Sequence, residues 1–75
     1  MADTELARRI ATRALSLARS DAPVEGAAEV LRGFARGDRD VLALARSRCL
    51  AAVDQHPGDV AARRAVALLD AALGP

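Results

Sequence analysis

The side chains that could carry out nucleophilic chemistry are few, and the best of them is a single cysteine. A nucleophile needs a general base within hydrogen-bond reach, and the sequence offers one cysteine, Cys49, and one histidine, His56. Cys49 lies near Ala45 and Val53 on the apolar side of a predicted helix, where burial makes a thiol unreactive. His56 falls at the carboxyl end of that helix, where a capping role or simple exposure is expected. The sequence therefore predicts that the chain is not an enzyme.

Patterns that bind metals, phosphates or cofactors are missing as well. One cysteine and one histidine seven residues apart do not give the paired spacing of a zinc site, and the five glycines form no phosphate-binding loop. The acidic residues have a simpler interpretation, because Asp3, Asp21, Asp38 and Asp59 all stand at predicted helix starts, where aspartate caps the helix. We therefore expect no catalytic residue, no metal ion and no cofactor.

The charges nearly cancel, with 11 basic and 10 acidic residues and a net charge of +1. This balance makes nucleic acid an unlikely partner. All the basic residues are arginine and alanine is abundant, a composition that suggests a high-GC bacterial source. Apolar runs such as 41–45 and 49–53, which are five residues long, are far shorter than the ~20 residues that span a bilayer. Residues 1–5 are acidic, unlike a secretory signal, so the expected location is cytoplasmic with no membrane association.

The elements that would position any functional side chain are four predicted α-helices. Apolar residues recur every three or four positions over four segments, and no segment alternates as a strand does. The three turns between them are short, so consecutive helices are expected to be antiparallel neighbours. The sequence thus predicts one all-α domain over residues 1–75, with helices at about 4–19, 23–36, 39–55 and 60–73.

Several helix ends carry recognisable signals. Asp38 and Asp59 are the expected N-caps of the third and fourth helices. Pro23 is expected in the first turn of the second helix, where its fixed φ is tolerated and the Ser20-Asp21 pair supplies the cap. Gly37 is expected to end the second helix in the left-handed conformation, and Gly74 with Pro75 to close the fourth.

The core is expected to be thin, because much of the 52% hydrophobic content is alanine and Phe34 is the only aromatic residue. In the second helix the predicted apolar arc includes Val24, Val30 and Phe34. On the opposite side Glu29 and Arg32 are spaced for an i,i+3 ion pair. A chain of 75 residues buries only about 60% of the surface that its unfolded form exposes, so modest stability is expected.

One pattern recurs after 34 residues. It consists of alanine, a larger apolar residue, alanine and proline, and it occurs as Ala11, Leu15, Ala18 and Pro23 and again as Ala45, Cys49, Ala52 and Pro57. This pattern resembles the second helix and closing proline of a tetratricopeptide repeat, which has the same period. Gly33 matches a small residue that this family places where its paired helices touch.

The resemblance implies stacked antiparallel helix pairs and a protein-binding role. Tetratricopeptide repeats place large aromatic residues in their first helix, and the chain departs from the family at these positions. The matching positions hold Glu29, Arg36, Arg63 and Asp70. The competing interpretation is therefore an ordinary alanine-rich helical bundle. Both interpretations predict an all-α fold, and they differ in whether the helices close on one another or stack as an open array.

Two groups of side chains are candidates for a partner surface. The first is the arginine face of the first helix, with Arg8, Arg9 and Arg13. The second comprises Leu44 and Leu50, which fall outside the buried arc of the third helix. We predict a non-enzymatic protein-protein interaction module that binds another protein or a second copy of itself. The alternative is a small nucleic-acid-associated regulator that uses the arginine face, although stacking on single strands is excluded by the shortage of aromatics.

Overall fold

The protein consists of four α-helices joined by short turns. In the computed structural model, which describes residues 3–74, 82% of these residues are helical and none of them lies in a strand. The all-α prediction is confirmed, and the helix bounds agree with the predicted ranges to within one residue. No helix in the described part is long and apolar enough to cross a membrane. The helices are α1 (Thr4–Arg19), α2 (Val24–Ala35), α3 (Arg39–Gln55) and α4 (Val60–Leu73).

Aspartates begin three of the four helices, as predicted. Asp3 Oδ1 accepts a hydrogen bond from the Leu6 amide at 3.0 Å. Asp38 Oδ1 accepts from the Asp40 amide at 3.0 Å and from the Val41 amide at 3.4 Å. Asp59 Oδ1, at the start of α4, accepts a hydrogen bond from the Ala62 amide at 3.2 Å. These bonds satisfy amides that have no acceptor inside a helix.

The predicted cap of α2 is wrong. Pro23 is itself the N-cap residue, in extended conformation, and no side chain accepts a hydrogen bond from the first amides of α2. The Ser20 hydroxyl instead donates to the Leu17 carbonyl at 2.9 Å, so it closes α1. Asp21 adopts a positive φ of 46° within the turn. Both residues are therefore used to leave α1 rather than to begin α2.

The end of α2 differs from the prediction by one residue. Arg36, with φ of 53°, takes the left-handed position expected for Gly37, and Gly37 follows with φ of 75°. The Gly37 amide donates to the Arg32 carbonyl, and the Arg36 amide donates to the Gly33 carbonyl, both at 3.1 Å. This is the paired bonding of a Schellman motif, which normally places glycine where Arg36 stands.

The helices close into a bundle around one apolar core. Each helix contacts the other three, including α1 and α4, which an open array of stacked pairs would hold apart. Alanine makes up more than half of the core cluster, and no polar side chain of residues 3–74 is buried in it. The largest fully buried side chains are Ile10, Leu31, Val41, Leu42, Cys49, Leu68 and Leu69.

The buried stripe of α2 is narrower than predicted. Val24, Val30 and Phe34 were expected in the core, but all three are exposed. The buried positions of α2 are Leu31 and alanines. Successive residues of a helix are 100° apart, so Val30 lies more than a quarter turn from the buried Leu31, outside the side of α2 that the other helices cover. Val24 lies at the very start of the helix.

Two arginines from other helices cap the carboxyl end of α4. Arg32 was predicted to pair with Glu29. Instead its Nε donates to the Ala72 carbonyl at 2.9 Å and its Nη2 donates to the Ala71 carbonyl at 3.1 Å. Arg39 Nη1 donates to the Leu73 carbonyl. The partial negative charge at a helix carboxyl end favours cations. These bonds join α2 and the start of α3 to the end of α4.

Removing the Arg32 side chain is therefore expected to lower stability. We expect Arg32→Ala to reduce the free energy of unfolding by about 1–2 kcal/mol, because two carbonyls lose charged donors. Urea unfolding followed by circular dichroism measures the change. Arg63→Ala is the control, since Arg63 is an exposed helical arginine and its loss should stay within about 0.5 kcal/mol. Equal effects of the two substitutions would contradict the capping role.

Candidate interaction surface

Two of the three arginines predicted to form a surface on α1 lie close to an acidic side chain. Arg8, Arg9 and Arg13 are exposed as expected. Arg8 forms a hydrogen-bonded ion pair with Glu5, its Nε lying 3.3 Å from Oε2. Arg9 Nε lies 3.8 Å from the same carboxylate. The hydrogen bond from Arg8 and its positive charge lower the pKa of Glu5, so the carboxylate stays ionised and offsets part of the charge of this face.

Arg13 has a different partner. Its guanidinium carbon lies 4.9 Å from the centroid of the Phe34 ring, which is within the range of a cation-π contact. This contact joins α1 to the exposed edge of α2. Arg13 is consequently the one arginine of the predicted surface that adjoins an exposed aromatic side chain.

Leu44 and Leu50 do not lie on a common surface. Leu44 is half-buried and packs against the core, whereas Leu50 is exposed. The two residues are six positions apart, which separates them by about 120° around α3. The structure therefore does not bring them together.

A surface that the sequence reasoning missed is the side of α2 that faces away from the bundle. We call Gly26, Val30, Gly33 and Phe34 the outer face of α2. All four are exposed, and the exposed fractions of Val30 and Phe34 are 43% and 42%. The spacing i, i+4, i+7, i+8 places them on one side of a helix. This spacing was visible in the sequence, but the two apolar residues had been assigned to the core.

The glycines of this face are not required by the fold. A Cβ atom added at Gly26 or Gly33 would meet nothing within 4 Å. Gly33 was expected at the contact between paired helices, and that expectation is wrong for this chain because Gly33 is exposed. Glycine inside a helix costs about 1 kcal/mol relative to alanine. No packing inside the bundle offsets this cost.

The candidate nucleophile is buried in the core. Cys49 is a free cysteine, 1% exposed, and burial raises the pKa of its thiol, as predicted for a side chain in apolar surroundings. His56 is exposed at the end of α3, where its amide donates to the Ala52 carbonyl and its carbonyl accepts from the Asp59 amide. Within residues 3–74 there is no cavity and no group of three or more possible metal ligands.

Arg64 fastens the turn between α1 and α2. Its Nη2 donates to the Ala22 carbonyl at 2.5 Å, and its Nε is buried without a hydrogen-bond acceptor. Arg64 as a whole residue is half-buried. Its role is to connect α4 to the turn that precedes the outer face.

The resemblance to tetratricopeptide repeats rests on the 34-residue recurrence and stays a prediction. No family model, no curated protein and no solved structure shows significant similarity to the chain.

Proposed function

We propose that the chain is a non-enzymatic helical module that binds another protein through the outer face of α2. The observation that supports this most strongly is the pair of large apolar side chains, Val30 and Phe34, held more than 40% exposed on one side of one helix. Exposed apolar faces of this kind are typical of surfaces that receive a partner helix.

The shape of the face suits a helix as the bound element. Gly26 and Gly33 leave the backbone of α2 bare along the middle of the face, so a second helix can approach closely. The side chains of Val30 and Phe34 line one side of this bare backbone. The cost of two helical glycines is then offset by contacts that form only in the complex.

Charged side chains border the apolar strip. Arg13 lies against Phe34 on one side, and Glu25 and Glu29 are exposed on the other. An apolar centre with a charged rim is the usual arrangement of a protein interface. Of the arginines predicted to contact a partner, Arg13 has the clearest place in this proposal. A free thiol suits a reducing compartment, so we place the module in the cytoplasm.

Site-specific photo-crosslinking tests the proposal. A photoreactive phenylalanine analogue is placed at position 30 and, as the matched control, at position 60, because Val60 is an exposed valine on α4 outside the outer face. After irradiation in a lysate of the source organism, a discrete crosslinked protein is expected from position 30 and not from position 60. The protein identified is then purified and its affinity for the chain is measured.

Substitution of the face completes the test. Val30→Glu is expected to weaken binding of the purified partner by about tenfold or more, because it places a charge in the apolar centre. Val60→Glu is expected to leave binding within twofold. Identical crosslinks from positions 30 and 60, or equal binding by the two glutamate variants, would overturn the assignment of this face.

A further inference from the structure

We propose that α2 and the residues that flank it open as a separate cooperative unit while α1, α3 and α4 stay folded. We call residues 21–36 the α2 unit. The opening is a property of the chain alone, so it does not depend on which molecule binds the outer face of α2. Four features support it: the small core contribution of α2, the backbone at its ends, the glycines inside it, and the direct contacts among the other three helices.

The α2 unit adds little to the apolar core. Leu31 is its only buried side chain larger than alanine, and Val24, Val30 and Phe34 are exposed. In the other helices the large fully buried side chains are Ile10, Val41, Leu42, Cys49, Leu68 and Leu69, and α1 adds the half-buried Leu6, Leu15 and Leu17. Buried apolar surface is the main source of stability. Segments with few buried apolar contacts are the ones that open at low cost.

Both ends of α2 have an unfavourable backbone. Of the residues that the structure describes, two that are not glycine have a positive φ, Asp21 at 46° and Arg36 at 53°, and they lie on either side of α2. This left-handed conformation is costly for residues with a Cβ atom, more for arginine than for aspartate. In addition, no side chain of residues 3–74 caps the first amides of α2. Opening the α2 unit releases both residues from the left-handed region.

The glycines weaken the middle of the helix. Gly26 and Gly33 are two of the 12 residues of α2, whereas α1, α3 and α4 contain no glycine. Glycine gains more backbone freedom than alanine when a helix unwinds. A Cβ atom added at either position would meet nothing within 4 Å, so no close packing in the bundle requires a glycine there. A helix this short is marginal without tertiary packing.

The other three helices form a core without α2. They contact one another directly and hold most of the large buried side chains. The α2 unit is attached to α4 near both of its ends, by Arg32 to the carbonyls of Ala71 and Ala72 and by Arg64 to the Ala22 carbonyl. Attachment at both ends opposes gradual unwinding from one end. The α2 unit is therefore expected to open in one step.

Opening changes the surface of the chain in two ways. It uncovers the apolar surface of α1, α3 and α4 that Leu31 and the buried alanines of α2 cover. It also removes the outer face of α2, because that face exists only while α2 is helical. A molecule bound to the outer face would therefore hold the α2 unit closed, since it binds only the closed form.

Hydrogen exchange of the purified chain, followed by NMR at urea concentrations below the unfolding transition, tests the proposal. The amides to compare are those of buried residues, Ala28 and Leu31 in α2 and Leu68 and Leu69 in α4. After correction for intrinsic rates, the α2 amides are expected to exchange at least about tenfold faster than the α4 amides. The urea dependence of α2 exchange should be at most about half that of α4, because less surface is exposed. Equal rates with equal urea dependence would overturn the separate opening.

Ala43→Gly weakens a helix that stays folded when α2 opens. Ala43 is an exposed residue inside α3, and glycine there is expected to speed exchange of the Leu68 and Leu69 amides about fivefold, because these amides exchange through unfolding of the whole bundle. The Ala28 and Leu31 amides should stay within about twofold of their original rates. A fivefold increase at all four amides would show that the bundle opens as a single unit.

Gly33→Ala is the complementary variant. It favours helical α2, and α2 is unfolded both in the opened form and in the fully unfolded chain. Exchange is therefore expected to slow about fivefold at the α2 amides and at the α4 amides alike. Slowing confined to the α4 amides would overturn the proposal, because α2 exchange would then not require unwinding of α2. These measurements use the chain alone, so their outcome is separate from the crosslinking result at position 30.

Discussion

Leu68→Ala is expected to lower the free energy of unfolding by about 3 kcal/mol, within the 2–5 kcal/mol range of buried leucine truncations. Leu68 is fully buried in α4, and α4 contacts all three other helices. A chain of this length is expected to be stable by roughly 4–11 kcal/mol in total. The substitution therefore removes a large part of the stability of the fold.

Because of the composition of the core, rearrangement of neighbouring side chains is not expected to reduce the loss of stability caused by Leu68→Ala. More than half of the core cluster is alanine, and an alanine side chain has no alternative rotamer that could extend into a cavity. Filling the space left by Leu68 would require whole helices to move. The cavity is thus expected to remain, and its cost adds to the lost transfer free energy.

Leu50→Ala is the matched control, since it deletes the same atoms from a side chain that is 36% exposed. Leu50→Ala is expected to lower the free energy of unfolding by less than about 1 kcal/mol, because surface substitutions rarely cost more. Urea unfolding of both variants measures the difference. Equal losses at positions 50 and 68 would show that the core is not where the structure places it.

The helix positions were predictable because their signals are local. An aspartate before an apolar-periodic segment accepts hydrogen bonds from amides two or three residues away, so Asp3, Asp38 and Asp59 needed no knowledge of the rest of the fold. Cys49 was placed correctly for a similar reason, since Ala45, Ala52 and Val53, three or four positions away, are apolar. The spacing of apolar and capping residues in the sequence identifies residues whose partners are nearby in the sequence.

The prediction failed where the partner lies far along the chain. Arg32 was assigned to Glu29, three residues away, but it binds carbonyls about 40 residues further on. The sequence also does not show how much of the surface of α2 is covered by the other helices. Val30 and Phe34 were therefore predicted to lie in the core, but they lie on the surface. The candidate interaction surface was missed for the same reason: the pattern shows that a helix side is apolar, not what covers it.

The thiol of Cys49 is expected to react with a disulfide reagent at least about a thousandfold more slowly in the folded chain than in the urea-unfolded chain at pH 8. Only the thiolate attacks such reagents. The side chain is 1% exposed, and burial raises its pKa. Reaction therefore requires opening of the bundle, and at a stability of about 4 kcal/mol roughly one molecule in a thousand is open.

The same burial makes stability depend on alkaline pH. The chain has no lysine and no tyrosine, so Cys49 and the terminal amine are the groups with ordinary pKa values between about 7.5 and 11. Above an ordinary cysteine pKa of about 8.5, the unfolded chain releases the thiol proton while the folded chain keeps it. The unfolded state then binds fewer protons, so the free energy of unfolding falls as pH rises above about 8.5 and is unaffected by this group below it.

Urea unfolding at pH 7, 8, 9 and 10, with the original chain and Cys49→Ala, measures this dependence. The alanine variant is expected to be less stable at pH 7, because it loses buried atoms, but to show no decline from pH 8.5 upward beyond that of the terminal amine. The two curves should therefore converge as pH rises. A decline of equal slope in both proteins, or a folded-state thiol that reacts within tenfold of the unfolded rate, would mean that Cys49 is not held protonated in the core.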